Sequence, residues 1–117
     1  MKKRTLLSFI FLCQLTFAQR PLLVNYEDVA TRAKVELDSS MQTGELKEFG
    51  IKQNIKGEYI MDITIHEKGE VLTVFAVSND SDNLKMQNKL KDFIRTFRFS
   101  FKLPKGNPYK IQYTFRF

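Results

Sequence analysis

Tryptophan is absent, histidine and cysteine occur once each, and 117 residues hold only five glycines and three prolines. So little Gly and Pro excludes collagen-like and low-complexity chains. The length leaves room for one ordinary domain and none for a multidomain enzyme. The longest apolar run, Thr5 to Ala18, has 14 residues, short of the roughly 20 that a membrane-crossing helix needs. Beyond Lys2-Lys3-Arg4 no basic run is dense, which argues against nucleic acid as a partner. What is present, 43% hydrophobic, 27% charged and 13% aromatic residues, is the balance of a globular domain with a packed core.

The charged head Lys2-Lys3-Arg4 and the apolar run after it form the pattern of a secretory signal peptide. Thr16 and Ala18 are small residues suited to the −3 and −1 positions of a cleavage site, so residues 1–18 are expected to be removed. An uncleaved anchor is the alternative. Leu12 before Cys13 does not fit a lipidation signal, and Cys13 leaves with the leader. The mature chain then has no cysteine for disulfides, thiolate chemistry or metal binding. Loss of Lys2, Lys3 and Arg4 takes 19 basic residues to 16 against 13 acidic, so the net charge falls from +6 to +3. The expected location is the periplasm or outer envelope.

Within the mature chain, Tyr26, Val29, Ala30, Ala33 and Leu37 recur at three and four residues, which predicts a helix from Asn25 to Leu37. Asn25 is placed to cap it, Asp28 falls in its first turn, and the polar stretch Asp38 to Gly44 reads as its end. Residues 19–44 thus form an N-terminal helix and linker. Glu45 to Ile55 reads either way, with Leu46, Phe49 and Ile51 available for a short turn docked on the core.

Tyr59 to His66 alternates, with Tyr59, Met61, Ile63 and Ile65 on one face and Asp62, Thr64 and His66 on the other. Glu67-Lys68-Gly69 then gives a hairpin loop, and Val71 to Val77 the second strand. Ser78 to Asp82 is a polar break with N-capping residues. A helix follows, with Leu84, Met86, Leu90, Phe93, Ile94 and Phe97 on one stripe and Arg95 and Arg98 near its end. Phe99 and Phe101 alternate in a short extended piece, and residues 104–108 turn. Tyr109, Ile111, Tyr113, Phe115 and Phe117 then alternate with polar residues to the end. The last strand can lie beside the second or pair antiparallel with the first. The latter is the expected arrangement and gives a small antiparallel sheet of order 2-1-3, an α+β fold with both helices on the apolar face and the last strand at an edge.

The sequence Ile55-Lys56-Gly57-Glu58-Tyr59-Ile60-Met61-Asp62-Ile63-Thr64-Ile65, continued by Lys68-Gly69-Glu70-Val71-Leu72-Thr73-Val74-Phe75-Ala76-Val77-Ser78, resembles the C-terminal domain of TonB-family energy transducers. The helix, the Phe99 and Phe101 segment, the Lys105-Gly106-Asn107-Pro108 turn and the closing strand continue the resemblance over residues 45–117. An aromatic-Pro pair before the first Gly, common in that family, is missing here, and Lys68 stands where Asp or Asn is usual. About 25 residues with one proline separate leader and domain, too few to bridge an envelope compartment at about 3.3 to 3.6 Å per residue. The resemblance therefore implies a binding mode, not force transmission by this chain alone.

That mode is addition of an extended peptide, such as a segment of an outer-membrane receptor, to an edge strand, with a link to TonB-dependent transport. The resemblance puts that strand at Tyr109, Lys110, Ile111, Gln112, Tyr113, Thr114, Phe115, Arg116 and Phe117, where Lys110 and Arg116 also guard the edge against aggregation. Eight of 12 mature aromatic residues fall between Phe93 and Phe117. They either fill the space between helix and sheet or leave a docking or homodimer face, which gives the alternative of an envelope assembly component. No nucleophile and base, metal set, cofactor or small-molecule substrate is expected. His66 stands alone, Asp62 has no acidic neighbour, and Asn79, Asp80 and Asp82 read as a capping turn. The chain is thus expected to be a protein-binding module and not an enzyme.

Overall fold

A computed structural model of the chain describes residues 20–79 and 84–117. The leader, its cleavage site and residues 80–83, which include Asp80 and Asp82 of the expected capping turn, lie outside the described residues, while Ser78 and Asn79 of the expected polar break continue β2. The fold is α+β. Helices α1 (Tyr26–Thr43) and α2 (Glu45–Lys52) precede strands β1 (Glu58–Ile65) and β2 (Val71–Asn79), and helix α3 (Leu84–Arg95) leads to β3 (Tyr109–Arg116). The sheet order is β2-β1-β3, with both neighbours antiparallel to β1.

Asn25 starts α1 by accepting the Glu27 N–H on its Oδ1 at 2.9 Å, a cap worth about 1 kcal/mol. Val29, Ala33 and Leu37 are fully buried at four-residue spacing. The polar stretch from Asp38 does not end the helix. Met41 extends the same row by one more turn and packs on the core, so α1 runs through Thr43, whose hydroxyl donates to the Ser39 carbonyl. Gly44 is the sole residue between α1 and α2, where the Ser40 hydroxyl accepts the Leu46 N–H. In α2, Leu46 is buried and Phe49 partly so, but Ile51 faces solvent, 71% exposed. One hundred degrees per residue places it on the opposite side from Leu46.

Tyr59, Met61, Ile63 and Ile65 of β1 are buried, while the alternate residues are half-covered. They join one cluster with the buried residues of all three helices, so every helix covers the same sheet face. Burying each such large side chain contributes about 1.5 to 3 kcal/mol. The cluster also takes Phe99, Phe101, Leu103, Ile111 and Phe115. Most of the C-terminal aromatics are therefore spent on the core, with rings of Phe99 and Phe101 5.4 Å apart and those of Tyr113 and Phe115 4.7 Å apart. Helix α3 stops at Arg95, not Phe97, because its end tightens into three-residue bonds from Thr96 N–H to the Phe93 carbonyl and from Phe97 N–H to Ile94.

The hairpin loop is braced by two neighbouring segments. Phe99 N–H donates to the Gly69 carbonyl at 2.9 Å and Leu103 N–H to that of Glu67 at 2.7 Å. Lys102 in turn exchanges bonds with Pro21 and Leu23. Gly69 has φ of +83°, and a Cβ there would stand 2.6 and 2.7 Å from the carbonyl oxygens of Phe99 and Phe101. Gly106 has the same backbone sign, φ +82°, with open space around it. Gly106→Ala is expected to cost about 1 kcal/mol through backbone conformation alone. Gly69→Ala adds a collision with main chain and should cost about 3 kcal/mol or more, read as the difference in urea midpoints.

Candidate functional site: the outer edge of β3

The nine residues that the resemblance singles out are the eight of an edge strand, β3, and Phe117 directly after it. The side chains divide by parity. Ile111 and Phe115 are buried, and Tyr109, Tyr113 and Phe117 pack against the core. Lys110, Gln112 and Arg116 are exposed on the open face, and Thr114 is half-exposed beside them. There Gln112 Nε2 donates to Asp62 Oδ1 at 3.3 Å, and Arg116 Nε donates to Glu58 Oε2 at 2.9 Å. With Arg116 74% exposed, that ion pair contributes at most about 1 kcal/mol.

The main chain divides by parity too. Gly57 and Phe117 exchange both backbone bonds, 3.3 and 3.0 Å, which fixes every second pair of the ladder as hydrogen-bonded. Tyr109, Ile111, Tyr113, Phe115 and Phe117 therefore aim their N–H and C=O at β1. Lys110, Gln112, Thr114 and Arg116 aim theirs outward. The Tyr26 hydroxyl takes the Lys110 carbonyl at 2.8 Å, and the Tyr26 ring stands edge-on to Tyr109 at 5.5 Å. Among the described residues no partner meets the outward groups of Gln112, Thr114 and Arg116.

Helix α1 supports this edge along its length, as Tyr26 touches Lys110 near the start of β3 and Asp38 accepts a hydrogen bond from the Tyr113 hydroxyl farther along. Burial first, then the bond to Asp38 and its charge, hold the Tyr113 phenol well above its ordinary pKa, with Arg116 opposing.

The second edge, β2, differs. Its register against β1 shifts twice, leaving Leu72 and Val77 without Cα partners. Bulges of this kind twist and blunt an edge. β3 keeps one register through all eight pairs. Sequence reasoning missed that β2 also carries exposed apolar side chains, Phe75 at 59%, Leu72 at 53% and Val77 at 51%. Its β-branched richness marks a strand but not which residues a bulge turns outward.

Elsewhere, His66 follows β1 with its Nδ1 buried and without a hydrogen-bond partner among the described residues. Among the described residues no group of three His, Cys, Asp or Glu is placed to hold a metal ion. No helix among them is long and apolar enough to cross a membrane.

Amide hydrogen exchange of the free protein is expected to alternate along β3: fast at Gln112, Thr114 and Arg116, slow at Ile111, Tyr113 and Phe115. Uniform protection would mean that the outward side is paired. For Tyr113, the folded state holds the phenolic proton more tightly than the unfolded chain. Its contribution is intact below the ordinary value of 10.0 and is lost as pH rises from there. Wild type should lose stability between about pH 9 and about pH 11 more steeply than Tyr113→Phe in urea unfolding.

No family model, curated protein or solved structure matches this chain, so its functional reading rests on its own residues.

Proposed function

We propose that this chain is a protein-binding module of the cell envelope, similar to the TonB C-terminal domain, which takes an extended segment of a partner protein along β3. The partner class is an envelope protein such as an outer-membrane receptor, which links the module to TonB-dependent transport. One observation carries this reading: a regular, unbulged edge strand whose outward N–H and C=O groups at Gln112, Thr114 and Arg116 have no partner among the described residues. Such groups are a template for another strand. The sequence resemblance over residues 45–117 supports it, as does the strand order β2-β1-β3 with the last strand outermost.

Two groups from each of three residues, at about 1 kcal/mol per bond, give about 6 kcal/mol before the cost of ordering the partner. Taken gross, that equals a Kd on the order of tens of micromolar, and the ordering cost weakens it from there. Backbone pairing thus sets geometry, and side chains must add affinity.

A second reading, an assembly component that docks through an apolar surface, is favoured by the exposed Leu72, Phe75 and Val77 on β2. The two place the contact on opposite sides of the sheet. Thr114→Pro removes an outward donor and leaves the bonds to β1 intact, so the variant should keep its circular dichroism and fail to retain the partner that wild type captures from envelope extract. Capture that survives Thr114→Pro and is lost in Phe75→Lys would replace the first reading with the second.

A further inference from the structure

Where β3 ends, α1, α2, the turn after α2 and the strand terminus border an open cleft of about 450 Å³. That is more than a single side chain fills and within the range of ligand sites. Its apolar surface includes Met41 of α1, Ile51 of α2 and the ring of Phe117. Phe117 lies so close to α2 that a Cβ on Gly50 would stand 2.6 Å from its Cδ1, so the glycine is what lets the ring form this wall. The charged side chains lining the cleft all have one sign: Lys47, Lys56 and Arg116. Arg116 is engaged by Glu58 across the ladder, whereas Lys47 and Lys56 have no ion-pair partner among the described residues.

We infer that this cleft receives the end of the segment bound at β3, and that this end carries a large apolar side chain next to carboxylates. The occupant is thus an acidic extended peptide. The inference rests on the strand-addition reading above. Arg116, the last pair of the ladder, and Phe117, bonded to Gly57 just beyond it, both line the cleft, so a strand paired with Gln112 and Thr114 leads toward it. Met41, Ile51 and Phe117 take the apolar side chain out of water, and Lys47 and Lys56 face the carboxylates beside it. Cations on a rim of this kind select a partner and speed its encounter more than they add raw affinity. They supply the discrimination that main-chain bonds, identical for every sequence, cannot.

The test uses three fluorescein-labelled peptides with a common Thr-Val-Thr-Val-Thr core. They carry Leu with two Asp, two Ser or two Lys, made with the tail at either terminus, and anisotropy reads their binding. The acidic peptide is expected to bind wild type about tenfold more tightly than the neutral one, and the basic peptide most weakly. The double variant Lys47→Gln with Lys56→Gln should erase that order. Lys68→Gln with Lys105→Gln, at the opposite end of β3, should preserve it. Thr114→Pro should remove binding of all three. Equal affinities for wild type, or an order erased equally by the distant pair, overturn the acidic-peptide assignment, while loss of binding in Thr114→Pro leaves the edge reading standing. Peptide binding untouched by Thr114→Pro, or no binding at all, overturns both. Tight binding of dodecanoate without any preference for the acidic peptide gives the cleft to a lipid anion and overturns the inference.

Discussion

A strand has two hydrogen-bonding sides, and in a three-stranded sheet only the middle one uses both. β1 fills that place, buried on one face and paired along both flanks, and the architecture follows from it. Its alternation fixes which face the helices cover. Its two neighbours must each turn one row of polar main-chain groups away from the sheet. Helices packed on one face shield side chains but do nothing for those rows. A fold this small therefore has to bulge its edges, cover them or use them.

The chain deals with its two edges differently. β2 departs from regular pairing at Leu72 and Val77, and it presents apolar side chains outward. β3 stays straight in register, with lysine, glutamine, threonine and arginine on its open face. The first arrangement spoils backbone recognition and leaves side chains to make any contact. The second keeps side chains polar and leaves the backbone to make it. An added strand finds six well-spaced groups on β3, whereas on β2 it meets a changed spacing near either end.

Much of this was legible in the residues. Strict alternation in Tyr59 to Ile65 and in Tyr109 to Phe117 gave strand, face and burial together, because period two has only one interpretation once one side is apolar. Gly69 in the loop marked the hairpin, and the helix between β2 and β3 carried the last strand across to the far side of β1. Less was visible where the outcome turned on distance in three dimensions. Met41 continues the Val29, Ala33 and Leu37 row, but it sits among polar residues that read locally as a stop. Ile51 looked like core by type and lies outside by angle. The bulges of β2 arise from pairing with β1, which no single-strand pattern encodes. The cleft at Phe117 was equally hidden: its walls come from positions 41, 51 and 117, and only the packing of the terminal ring on Gly50 brings them together.

The bond from the Tyr26 phenol to the Lys110 carbonyl has a consequence for how far any added strand can extend. Sliding along β3 by one residue would swap its faces, so alignment can change only in steps of two. Toward the start of β3 the next such step meets an acceptor already taken, beneath an aromatic ring held against Tyr109. For a strand added as proposed, Tyr26 would act as a stop on a ruler, barring alignments that run past Lys110 toward the start of β3. The first residue of α1, one of the apolar positions that mark the helix in the sequence, would then set one limit of the footprint.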